Sequence, residues 1–104
     1  MEYIVIFATT PIEDGKKIAK HLIEGKTAVC VNVIPKVYSI FWWEGKIEEC
    51  DEALLVIKTE KTRLDEVINS IKDIHPYEVP EIIAVSIIGG NKKYLDWLTE
   101  SLAL

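Results

Sequence analysis

The chain has little of what marks several large classes of protein. Two cysteines in 104 residues belong to no Cys-x-x-Cys pair or other clustered ligand set, so nothing announces a zinc site. A basic surplus is missing: 12 Lys and Arg stand against 17 Asp and Glu, a net charge of -5. That balance disfavours nucleic acid and anionic membranes, because both need Lys and Arg to replace counterions. No charged n-region, apolar core and small-residue cleavage site opens the chain, and no apolar run reaches the roughly 18 residues of a membrane span. A cytoplasmic protein is the expectation. No linker, repeat or low-complexity stretch interrupts residues 1–104, which read as a single domain. Gly-x-x-x-x-Gly-Lys-Ser/Thr, Gly-x-Gly-x-x-Gly, His-Glu-x-x-His and Gly-x-Ser-x-Gly are all absent. No organic cofactor is evident, and the expectation is a protein that is not an enzyme.

What the chain does have is apolar residues, 49% of the total, enough for a real core at a length where stability is thin. They are organised around one stretch, Ala28 to Thr59, which reads as a very long β-hairpin. Strands usually run about five or six residues. Here β-branched and aromatic residues, Val29 through Trp43, continue to a Glu44-Gly45 turn signal, and Ile47 to Ile57 returns. Such an arm extends beyond any sheet this small domain builds. Alternation sends Trp42 and Trp43 to opposite faces, so at least one needs cover from outside the hairpin. A turn near Gly45 sets Cys50 opposite residue 40 and leaves Cys30 roughly 33 Å away along the strand. A disulfide needs Cα atoms within about 7 Å, so the two cannot pair within one chain.

Ahead of the hairpin, Glu2 to Ala8 is an apolar strand expected to be buried on both faces. Thr10-Pro11-Ile12-Glu13 reads as a capping box with proline at the first helical position, and Ile12, Ile18, Ala19, Leu22 and Ile23 form one helical stripe ended by Gly25. After the hairpin, Thr59 or Thr62 is expected to cap a helix carrying Leu64, Val67, Ile68, Ile71 and Ile74, stopped at His75-Pro76. Glu81 to Ile88 is a fourth strand, again apolar on both faces. Gly89-Gly90 breaks it, and Asn91 caps a short last helix. The order βαββαβ plus a terminal helix predicts an α+β ferredoxin-like sandwich, a four-stranded antiparallel sheet with two helices on one face. Its other face, apolar in strands one, three and four, exceeds the few hundred Å² a soluble monomer tolerates. A further copy of the chain is the simplest cover. An RNA-recognition module shares this order, but the paired inner-strand aromatics and the charge are wrong for one.

Candidate functional side chains are few, and each has an ordinary reading beside a sharper one. His21 lies on the polar side of the first helix. His75, at a helix C-terminus, is either a capping histidine before a rigid turn or a metal ligand in a cleft. Cys30 is either a small buried hydrophobe or a soft thiolate ligand. Glu48, Glu49, Asp51 and Glu52 form an acidic run, solvated or attracting cations. Lys58 ends a deeply apolar strand and either snorkels, holds an anion or pairs with Glu81.

Several blocks carry a resemblance over essentially the whole chain: Ala28-Val29-Cys30-Val31-Asn32, Ser39 to Glu48 with Phe41-Trp42-Trp43-Glu44-Gly45-Lys46, Ile57-Lys58-Thr59, His75-Pro76-Tyr77-Glu78-Val79-Pro80-Glu81-Ile82, and Tyr94-Leu95-Asp96-Trp97-Leu98. In order and spacing they resemble the CutA divalent-cation tolerance family. The resemblance implies a tight, PII-like homotrimer with intersubunit clefts, a link to copper (Cu²⁺) and other divalent metals, and no established enzymatic activity. It implies Cys30 and His75 as metal-site residues and Trp43, Lys58, Tyr77 and Glu81 as cleft residues. Where some bacterial members carry a cysteine before the first-helix proline and a double histidine before the second, this chain has Thr10 and Ile74. Of that copper set only His75 remains. The runner-up function is a sensor that binds a small anion or metabolite in the cleft through Lys58.

Overall fold

The computed structural model describes residues 2–103. Strand β1 (Tyr3–Thr10) leads through a single 3₁₀ turn (Ile12–Asp14) into helix α1 (Gly15–Glu24). The hairpin follows as β2 (Cys30–Trp43) and β3 (Lys46–Glu60), then a second 3₁₀ turn (Lys61–Arg63), α2 (Leu64–Ile74), β4 (Ile82–Ile87) and α3 (Lys92–Ala103). The strands form one sheet in the order β2-β3-β1-β4, every neighbouring pair antiparallel. This is the expected α+β ferredoxin-like arrangement.

The two faces of the sheet differ. Directly opposed residues share a face, so Ile4, Ile6, Ala8 and Thr10 of β1 lie with Thr59, Ile57, Leu55 and Ala53 of β3. All eight are buried. Onto them pack Ile18, Ala19 and Leu22 of α1 and Val67 and Ile71 of α2, making the main core. Gly15 opens α1 because space there is minimal: a Cβ would stand 2.9 Å from the Ala53 Cβ. On the other face Tyr3, Val5, Phe7 and Thr9 are only half-buried. The strand expected to be buried on both faces is therefore fully covered on one. Helix α3 takes part of the second face, with Leu98 and Leu102 buried, Thr99 Oγ1 2.7 Å from the Tyr3 hydroxyl, and the Leu102 carbonyl accepting from Arg63 Nη2 at 3.3 Å. At 12 residues it is longer than α1 and α2, not the short helix expected. β4 is a sheet edge, and most of its side chains are exposed. Its apolar residues, expected on both faces, are thus left largely uncovered within one chain.

Helix ends show where local signals were honoured. Asn91 caps α3 by accepting the Lys93 N–H at Oδ1, 3.0 Å. Neither threonine cap forms. Thr10 remains the last residue of β1, with its hydroxyl donating to the Pro11 carbonyl at 2.8 Å. The Thr59 hydroxyl donates across the fold to Thr27 O at 2.7 Å, and Thr62 sits inside the 3₁₀ turn. α1 closes in a Schellman arrangement, with Thr27 N–H to Leu22 O and Lys26 N–H to Ile23 O. The left-handed residue there is Lys26 (φ 59°), while Gly25 keeps a right-handed conformation. Ile12 and Ile23, expected in the core stripe, are exposed.

The hairpin outgrows the sheet. β1 pairs with β3 only from Ala53 to Glu60, so residues 46–52 of β3 have β2 as their one partner. Glu44 (φ 49°) and Gly45 (φ 78°) both take the positive φ of a two-residue type I′ turn. Trp43 therefore faces Lys46, and Cys50 lies opposite Ser39, one residue from the expected register. Where body becomes arm, the register shifts between Ile34 and Val37. Pro35, which has no N–H to give the ladder, lies within that bulge, and a bulge adds twist and re-aims the strand. The arm raises the radius of gyration to 14.3 Å, against about 13 Å for a compact chain near 100 residues.

Candidate functional site

The site is built where the arm leaves the body. α2 ends at His75, whose N–H still bonds Ile71 O at 2.9 Å while its backbone turns extended (ψ 133°), as the following Pro76 requires. The His75 side chain is 8% exposed. Its Nδ1 accepts the Tyr77 N–H at 3.1 Å, which leaves Nε2 to donate to the Thr9 carbonyl at 2.8 Å. Both ring nitrogens are thus engaged in a neutral tautomer, pinning the 75–81 turn to the end of β1. The Tyr77 ring packs on the imidazole with centroids 4.7 Å apart.

Tyr77 then reaches the arm. Its hydroxyl donates to Glu52 Oε2 at 3.1 Å, and Glu52 is only 5% exposed. Burial, followed by the hydrogen bond to and charge of Glu52, pushes the Tyr77 hydroxyl up to about 12. The turn and the arm enclose a cleft of two adjoining cavities that share Phe41, Trp43, Tyr77 and Val79. One, of about 510 Å³, adds Glu48, Glu49 and Cys50. The other, of about 470 Å³, adds Thr9, Tyr38, Glu52 and Glu81. The Tyr38 hydroxyl donates to Glu49 Oε1 at 2.6 Å, and that bond, with burial and the nearby Asp51, raises its pKa. Cys50 is raised too, by burial first and then by Glu52, Asp51 and Glu48. The cleft is aromatic-walled and anionic.

Three of the four expected cleft residues, Trp43, Tyr77 and Glu81, meet there. Lys58 does not. It lies opposite Val5 and Cys30 on the second sheet face, whereas the cleft begins at Thr9, four residues along β1, roughly 13 Å away. Lys58 Nζ donates to Asn32 Oδ1 and lies 4.0 Å from Cys30 Sγ. The Lys58–Glu81 pair considered above does not form. Cys30 is half-buried rather than enclosed, and its neighbour on α3 is Tyr94, whose pKa is raised by burial and by the adjacent Cys30.

As a metal site the expected donors do not fit together within one chain. Cys30 sits beside an ammonium at one end of β1, and His75 spends both nitrogens at the other. No group of three or more His, Cys, Asp or Glu among the described residues is placed to hold an ion. Residue types alone did not single out Glu52: it closes an acidic run, and its partner Tyr77 is 25 positions away. No local pattern predicts that contact.

Comparison with known proteins adds the family. The family model described as CutA1 divalent ion tolerance protein matches residues 3–101. The chain belongs to the CutA1 divalent ion tolerance family. The divalent-cation tolerance protein CutA of Thermus thermophilus is 42% identical over 101 residues, covering 97% of this chain and 98% of its own. The chloroplastic protein CutA 1 of rice is 46% identical over 99 residues. There the match covers 94% of this chain and 56% of the relative, so the chain spans little more than half the plant protein. The crystal structure of CutA1 from Oryza sativa superposes with a TM-score of 0.94 at 46% identity, covering 97% of this chain and 94% of that one.

Proposed function

We propose that this chain is a homotrimeric, cytoplasmic divalent-metal tolerance or metal-response protein, with copper among the ions it answers to and no catalytic step of its own. The observation that carries the assembly is apolar surface that one chain leaves in water. Beyond α3 the second sheet face exposes Ile34, Ile83 and Val85, and the arm exposes Ile40, Trp42 and Ile47, the last two at 70% and 61%. Both sheet edges, β2 and β4, also carry unpaired strand backbone. Three copies, each laying its arm along a neighbour's edge, cover the face and remove the edges together. The metal role is supported by the name carried by the Thermus relative. Two free thiols, Cys30 and Cys50, suit a reducing compartment.

For copper, the geometry moves the weight from His75 to Cys30. A metal at His75 has to displace the Tyr77 N–H or the Thr9 carbonyl, whereas Cys30 offers a partly exposed soft donor once the Lys58 ammonium swings aside. The sensor reading through Lys58 is weaker, since that ammonium is held by Asn32 away from the cleft. Light scattering over a dilution series should give three times 11.8 kDa; a stable monomer refutes the assembly. Copper calorimetry on Cys30→Ser, His75→Ala and Cys50→Ser should lose affinity only in the first. Unchanged binding by Cys30→Ser removes the site favoured here.

A further inference from the structure

We propose that the cleft between the arm and the 75–81 turn binds a small organic cation, an alkylated or quaternary ammonium, against the Phe41, Trp43 and Tyr77 rings with Glu52 as its counter-charge. This is a separate ligand from the metal and uses neither Cys30, His75 nor Lys58. Three features of the cleft point to it.

Its walls are aromatic. Phe41, Trp43 and Tyr77 line both cavities, with Tyr38 at the second. Aromatic rings attract ammonium groups through their quadrupole, and the attraction grows as water is excluded. An inorganic divalent ion has no use for such walls, because it seeks oxygen, nitrogen or sulfur donors.

Its charge has one sign. Glu48, Glu49 and Glu78 border one cavity and Glu52 and Glu81 the other, while among the described residues no Lys, Arg or His lines either. Two of the five carboxylates are held, since Tyr38 and Tyr77 donate their hydroxyls to Glu49 and Glu52. The pKa values of Tyr77 and Cys50 are raised by burial first and by these carboxylates second, and that of Tyr38 first by its bond to Glu49.

One carboxylate is deeply placed and half-used. Glu52 is 5% exposed and lines the second cavity, yet only Oε2 is hydrogen-bonded; among the described residues nothing donates to Oε1. Glu52 Oε1 is not among the buried unpartnered oxygens, so it stays open as an acceptor and counter-charge that a cation in the cavity can meet. Cavities of about 510 and 470 Å³ lie within the range of small-molecule sites, roughly 300–1,000 Å³. A free small molecule, rather than a protein segment, is the occupant this volume suits.

The test is a titration of the assembled 104-residue protein with tetramethylammonium chloride at fixed ionic strength, followed by calorimetry and tryptophan fluorescence. The uncharged counterpart is tert-butanol. Saturable binding with Kd on the order of 1 mM or tighter is expected for the cation and none for the alcohol. Trp43→Leu should weaken it by about tenfold or more. Glu52→Gln, which keeps a partner for the Tyr77 hydroxyl, should also weaken it, and Trp97→Leu on α3 should leave it unchanged. Circular dichroism and thermal melts confirm that each variant is folded. Should Trp43→Leu fail to fold, Phe41→Leu takes its place with the same expectation. Equal binding of tert-butanol, wild-type affinity in folded Trp43→Leu, or no binding of tetramethylammonium overturns the proposal.

Discussion

From Leu54 to Lys58, β3 has β1 on one side and β2 on the other, and its side chains are buried or half-buried. From Lys46 to Asp51 the same strand keeps only β2, and every side chain but Cys50 is exposed. Residue type does not account for the change: Ile57 is fully buried and Ile47 is 61% exposed. β-propensity and turn chemistry make both halves strand, but burial comes from layers. The body has α1 and α2 above it, while among the described residues the arm has little beyond the 75–81 turn and the end of β1 at its base. The body is a folding unit, and the arm is a surface waiting for a partner.

The sharpest way to break that contrast is to truncate one residue in each half. Leu55→Ala should cost about 2–5 kcal/mol in urea unfolding. Ile47→Ala should cost under about 0.5 kcal/mol within a chain and show instead as subunit dissociation at higher protein concentration. Equal, concentration-independent losses would mean that the arm is part of the same core.

Next in size is the pin between α2 and β1. His75→Ala leaves the Thr9 carbonyl and the Tyr77 N–H without their partner, and each such group costs about 1–3 kcal/mol when buried. A loss near 2 kcal/mol is expected, with faster hydrogen exchange at the Tyr77 amide. Protection unchanged at Tyr77 would show that the imidazole does not hold the turn.

A gain is expected at Lys26. A non-glycine residue in the left-handed region costs about 1 kcal/mol, so Lys26→Gly should stabilise the body by up to that amount in a thermal melt, leaving the arm's assembly unaltered. No gain would mean that the Schellman turn carries no strain there.

The smallest effect at neutral pH concerns the tie between body and arm. The folded pKa of Tyr77, about 12, stands above the ordinary 10.0. The neutral hydroxyl therefore contributes its stability in full below pH 10, and that contribution is lost as pH rises through 12. Tyr77→Phe should remove the most alkaline step from the tyrosinate absorbance titration and flatten the loss of stability in that window. A titration curve that keeps this step would assign it to another tyrosine.

Most of the fold was legible because its signals are short-range. Glu44-Gly45 supplies both positive-φ residues of the hairpin turn, Asn91 supplies a cap, and His75-Pro76 stops a helix by excluding the right-handed region before proline. The threonine caps misled because a hydroxyl has several acceptors within reach. Thr59 bonds Thr27 and Thr10 bonds Pro11, choices set by which carbonyl the tertiary fold brings near. The candidate site was half legible. Trp43, Tyr77 and Glu81 belong to blocks flanking the arm and do converge. Lys58 has the same chemistry wherever it lies, and only strand register sets it opposite Cys30 rather than beside Glu81.

By itself the sequence determined the order of elements, the length of the arm and the position of its turn, since each follows from propensity, periodicity and backbone restrictions acting over a few residues. Tertiary structure alone decided that α3 lies on the second sheet face, that His75 spends both nitrogens on the backbone, and that Glu52 is buried under Tyr77. Apart from the local bond between His75 and the Tyr77 N–H, those outcomes depend on contacts 25 to 96 positions apart. Such pairings are selected by the sum of packing and polar satisfaction over the whole sheet, which no local run of residues encodes.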